Sequence, residues 1–142
     1  YLALSCRLQL RCEAQLEQQR QAQAHAAAEQ KRQVLWRFNV ESNLYFNAMD
    51  EARTPGCNGA ANTNPQAARW RRDRQAQLDW VLTELGARFQ QSQDITQTVN
   101  EMRERLTDVS CDQKAQKQDL DQLKLKLTAQ AAKLAYDAPA RP

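Results

Sequence analysis

The sequence predicts an all-α chain built as a long antiparallel helical hairpin or coiled coil, elongated rather than globular. Three observations lead there. Only three glycines and four prolines punctuate 142 residues, and two of each fall in one stretch, PGCNGAANTNP (55–65). Gln, Ala, Arg and Leu dominate the rest, and these are good helix formers. A 3.5-residue apolar repeat runs through much of the second half, the mark of a coiled-coil seam.

The first helix is expected over ~3–52, where no Gly or Pro interrupts. Its AQAHAAAEQ stretch (22–30) offers small residues only. VLWRFNVESNLYFNAM (34–49) is apolar on more than one side. The loop is placed at ~53–64. Asn64-Pro65 then restarts a helix: an Asn side chain can cap the first free N–H groups, and Pro at the first helical position forfeits no hydrogen bond. That second helix is expected to run from ~65 to ~136, with Gly86 its one internal weak point, before the tail at 137–142.

The seam of the second helix passes through Leu78, Leu82, Leu85 and Phe89. A phase slip follows at Ser92 and Ile95. It resumes through Val99, Met102, Leu106 and Val109, turns polar at Gln113 and Gln116, and becomes apolar again at Leu120, Leu123, Leu127 and Leu134. Glu84/Arg88 and Glu101/Arg105 add i,i+4 support outside the seam.

Two helices joined by a short loop pack antiparallel, so facing residues should have numbers summing to about 120. Trp36, Phe38, Tyr45 and Phe46 would then meet Leu78, Trp80 and Leu82 in an apolar head beside the loop. Cys111 would lie near Cys6 or Cys12, and one of those pairs is the expected disulfide. Cys57, ~60 Å away along a straight helix, would be free or bonded to another chain. The helices are unequal, so Leu120, Leu123, Leu127 and Leu134 would have no partner in this chain. Each buried leucine is worth ~1.5–3 kcal/mol, which implies an upstream segment or another subunit as cover.

Site chemistry is sparse. The single histidine, His25, has no metal-ligand neighbours at helical spacing, and the cysteines form no C-x-x-C pair, so no metal or cofactor is expected. No phosphate-loop, nucleophile-elbow or zinc-protease motif occurs, and an enzyme is disfavoured. RWRRDR (69–74) concentrates Arg69, Trp70, Arg71, Arg72 and Arg74 into a candidate patch for an anionic partner. Salt-bridging to Asp50, Glu51 and Asp73 is the competing reading. A net charge of +3 is small for a nucleic-acid binder, the least supported of the functions considered.

The expectation is a structural or interaction subunit of a larger assembly, homo-oligomeric or hetero-complexed. It would oligomerise through the leucine seam and present its aromatic head and cysteine loop to a partner. An even cysteine count suits a periplasm or cell envelope, bacterial or phage-related. The apolar start, YLALSC with Arg7 and Arg11 following, adds an alternative: a membrane-anchored periplasmic effector. Its layout is similar to that of phage spanins or secretion-system stalks, though no motif ties the chain to either.

Overall fold

A computed structural model describes residues 9–52, 57, 64–108 and 111–136. Four helices follow in order: α1 (Gln9–Glu51), α2 (Pro65–Arg88), α3 (Gln93–Thr107) and α4 (Gln113–Tyr136). The all-α class is as expected. The expected helix over ~65–136, however, is three helices.

The start of α2 follows the local chemistry. The Asn64 side chain accepts from the Gln66 N–H at 2.9 Å, and Pro65 opens the helix. The first unexpected break falls at the phase slip. Phe89 caps the end of α2, and the Ser92 hydroxyl accepts from the Ile95 N–H at 3.2 Å to start α3. The second break falls at the polar part of the seam. Asp112 caps α4, its carboxylate accepting from the Ala115 N–H at 3.0 Å. Gln113 and Gln116 are therefore not polar seam positions. Gln116 turns back to donate to the Arg105 and Asp108 carbonyls at 3.0 and 3.1 Å, closing the end of α3.

Cross-helix pairs give the directions. Arg74 meets Glu41 at 3.2 Å and Arg88 meets Gln30 at 2.9 Å, so α2 runs antiparallel to α1, close to the expected register. Arg103 meets Asp79 at 2.9 Å, which sets α3 antiparallel to α2. Lys117 meets Asp50 at 2.8 Å, Lys124 meets Asn43 at 2.9 Å, and Arg32 donates to the Ala135 carbonyl at 3.2 Å, so α4 returns antiparallel along α1. Each helix packs on the next and α4 closes onto α1. The result is an up-down-up-down four-helix bundle.

Its core holds Phe38, Tyr45 and Met49 from α1, Leu78, Val81, Leu82 and Leu85 from α2, Ile95, Val99, Met102 and Leu106 from α3, and Leu120 and Leu127 from α4. The last two correct the uncovered seam. Leu120 and Leu127 are fully buried by their own chain, Leu123 packs partly against the core, and Leu134 alone of the four is largely exposed. Because α4 doubles back, α1 itself covers the strip.

The cysteine pairing is corrected for the same reason. Cys57 and Cys111 form a disulfide within the chain, with Cα atoms 5.4 Å apart. A straight second helix would have kept them far apart, whereas the turn into α4 brings Cys111 to the loop end of the bundle. Cys111 thus pairs with neither Cys6 nor Cys12, and Cys57 is neither free nor bonded to another chain. Cys12 is disulfide-bonded as well, and Cys6 lies outside the described residues.

At 43 residues, α1 is far longer than the 24 of α2 or α4. Residues 13–27 are exposed throughout except half-buried Leu16, so this part of α1 extends past the ends of the other described helices. At 1.5 Å per residue the projection reaches roughly 20 Å. Alanine-rich helix propensity sustains it, with help from Glu17 and Arg20 at 3.6 Å.

Candidate functional site: a latched end and an exposed tryptophan face

The loop end of the bundle is held by side chains that reach between helices. The last carbonyls of α1 have no helical donors of their own. Arg71 of α2, 4% exposed, donates to the Ala52 carbonyl at 2.6 Å and to the Gln113 side-chain oxygen. Gln113 of α4 in turn donates to the Met49 carbonyl at 3.3 Å. A guanidinium placed at a helix C-terminus is also favoured by the helix dipole. The Cys57–Cys111 bond joins the two connections at this same end. Arg71 and Gln113 therefore latch α1, α2 and α4 together.

This arrangement takes the arginine patch apart. Arg71 serves the latch and Arg74 pairs with Glu41, both on the inner side of α2, leaving Arg69 and Arg72 exposed and Trp70 half-buried. Glu41, not Asp50, Glu51 or Asp73, partners Arg74, while Asp50 pairs with Lys117. Nothing in the residue spacing marks Gln113 or Glu41 as partners, since each lies on a different helix from its arginine.

Tyr45 sits against the latch, fully buried, with the Arg71 guanidinium 5.9 Å from its ring centroid. Burial pushes the phenol above its ordinary 10.0, and the charge of Arg71, with a hydrogen bond from its guanidinium, pulls it partway back. With the folded value raised, the neutral phenol's share of stability is complete below about pH 10 and is lost as pH climbs through the folded value. Tyr45→Phe removes both the titration and the buried hydroxyl. The variant is expected to match or exceed the native chain near neutrality and to lose stability less steeply above about pH 10. Urea melts across that range would show it; parallel slopes would contradict it.

The aromatic head divides into two populations. Phe38, Tyr45, Phe46, Leu78 and Leu82 are core. Trp36 is 67% exposed and Trp80 46% exposed, with Val40 at the surface one turn beyond Trp36. The Arg37 guanidinium stacks over the Trp80 ring, 4.5 Å from its centroid. The apolar stretch was visible in the sequence. Which of its residues face outward was not, because α1 turns core residues toward both α2 and α4.

Among the described residues no cluster of His, Cys, Asp and Glu could hold a metal, and His25 is exposed on the projecting part of α1. Two open concavities along the outer side of α3 are lined by polar residues, including Asn100 and Glu104 in both, with no histidine, cysteine or serine among them. No described helix is long and apolar enough to cross a membrane, and residues 1–6 lie outside the described residues. No family model, no curated protein and no solved structure matches this chain.

Proposed function

We propose that this chain is a structural interaction subunit. A disulfide-latched helical head, carried on the projecting part of α1, would present the Trp36–Val40–Trp80 face to a protein partner. The observation that carries the reading is that face. Two tryptophans, Trp36 on α1 and Trp80 on α2, stand in solvent while Phe38, Tyr45 and Phe46 of the head are buried. Tryptophan and arginine are the residues most enriched where binding energy concentrates, and Arg37 stacks on Trp80. The leucine seam no longer supplies this contact, since Leu120 and Leu127 belong to the chain's own core.

The disulfide supports an oxidising compartment such as a bacterial or phage-related envelope. The projecting helix favours a second form of the same reading. An apolar segment at residues 1–6 followed by a polar helical spacer suits a membrane-proximal tether that holds the head away from its attachment point.

Trp36→Ser with Trp80→Ser tests the face. Both side chains are largely outside the core, so the double variant is expected to keep its helical circular dichroism and its melting temperature within a few degrees. On native gels of gently extracted host envelopes, the wild-type chain is expected in a species heavier than itself, and the double variant alone. If both migrate alike as the bare chain, the reading fails.

A further inference from the structure

The two breaks in the second half of the chain differ in kind. At 89–92 the apolar repeat itself slips, so a straight helix would turn its seam away from the core. Across 108–112 it holds phase: Leu106, Val109, Gln113, Gln116, Leu120, Leu123 and Leu127 are spaced 3, 4, 3, 4, 3 and 4. Neither glycine nor proline forces that second bend. Side chains hold it: Asp112 caps α4, and Gln116 donates to the Arg105 and Asp108 carbonyls, which a continuing helix would satisfy with its own amides. α4 is also the helix least anchored by bulk. It buries two large apolar side chains, Leu120 and Leu127, beside Ala131 and Ala135, whereas α2 and α3 bury four each. Its Lys117–Asp50 pair with α1 is exposed and adds little. The Cys57–Cys111 bond lies one residue before the Asp112 cap and ties the start of α4 to the connection between α1 and α2. We propose that this bond is a redox-released catch: a dithiol reductant opens it, and α4 then leaves α1 far more often than any other helix leaves the bundle.

Cys111 is exposed while Cys57 is buried, so the incoming thiolate reaches the Cys111 sulfur. A new S–S bond forms there, the Cys57–Cys111 bond breaks, and its electron pair leaves on Cys57, which takes a proton from water. The second thiolate of the reductant then displaces Cys111, which is protonated in turn. The cysteine pair gains two electrons, and the dithiol is oxidised to its own disulfide. The contacts of Arg71 and Gln113 keep the closed bundle the major form after reduction. The open form uncovers Leu120 and Leu127 together with the side of α1 they pack on, a strip inaccessible while the bond is intact.

Native-state hydrogen exchange read by mass spectrometry, on the full chain with and without dithiothreitol, tests the catch. A detached α4 is a short helix without packing and exchanges its amides readily. With the bond reduced, amides of 117–136 are expected to exchange ~100-fold faster or more, while those of 34–49 and 78–88 change by less than ~3-fold. Cys57→Ser with Cys111→Ser is expected to show the same pattern without reductant, and dithiothreitol to add nothing to it, which separates this bond from that of Cys12. A bond that merely stabilises the whole fold would speed exchange equally in α1, α2 and α4, and that result overturns the proposal. So does unchanged exchange in α4 once alkylation shows Cys57 and Cys111 reduced, a double variant that exchanges like the oxidised native chain, or an effect of dithiothreitol on α4 that persists in the double variant.

Discussion

Leu127→Asp is expected to abolish cooperative folding, whereas Leu125→Asp, two residues away on α4, leaves the chain folded. Leu127 is fully buried in the bundle and Leu125 is 62% exposed. A carboxylate at position 127 would have to be desolvated with no partner in the Leu/Met/Phe core, a cost several times that of losing the leucine's apolar contacts. The milder Leu127→Ala should cost about 2–5 kcal/mol, while Leu125→Asp should stay within ~0.5 kcal/mol of the native chain. The pair also separates a leucine buried by its own chain from one buried by a neighbour. With an in-chain core, the loss for Leu127→Ala is independent of protein concentration in a urea melt. A loss that shrinks on dilution, or a folded Leu127→Asp, would mean that α4 does not lie in the bundle as described.

The second large effect belongs to the latched end. The Cys57–Cys111 bond closes a loop with a sequence separation of 54. Restricting an unfolded chain over that span is worth ~4 kcal/mol in the chain-entropy account. Total stabilities of ~5–15 kcal/mol make this a large fraction of the whole. Cys57→Ser with Cys111→Ser is expected to lower the melting temperature by roughly 10 °C or more in a chain of this size. The Arg71 and Gln113 contacts remain in that variant, so its helices should persist at low temperature. Peptide mapping under non-reducing conditions should find the 57–111 linkage within a single chain. Linkage of Cys57 to a second chain, or a variant that melts like the native protein, would remove the disulfide from its place in the fold.

Much of the architecture was legible in local chemistry. The restart at Asn64-Pro65, the uninterrupted run of α1, and the antiparallel register of α1 and α2 all follow from capping, composition and loop length. The breaks at 89–92 and 108–112 were harder to read because neither contains Gly or Pro. They rest on Ser92 and Asp112, residue types that cap helices but also sit on exposed helix surfaces without ending them. Ser92 left a trace as a phase slip in the apolar repeat, and Gln113 and Gln116 left one as a polar gap. Both traces are equally compatible with an irregular continuous coil.

Composition, capping residues and apolar periodicity thus determined by themselves that this protein is helical, where its first helix turns back, and which residues are apolar enough to form a core. Only the tertiary structure decided that the second half folds into three helices. Each break gives up a few backbone hydrogen bonds, and closing α4 onto α1 recovers more by burying Leu120 and Leu127 and by supplying Gln113, Gln116 and Arg71 to the orphaned helix ends. That balance depends on groups far apart along the chain. So do the partner of Cys57 and the outward turn of Trp36 and Trp80, since no residue's neighbours in sequence specify what lies across the bundle from it.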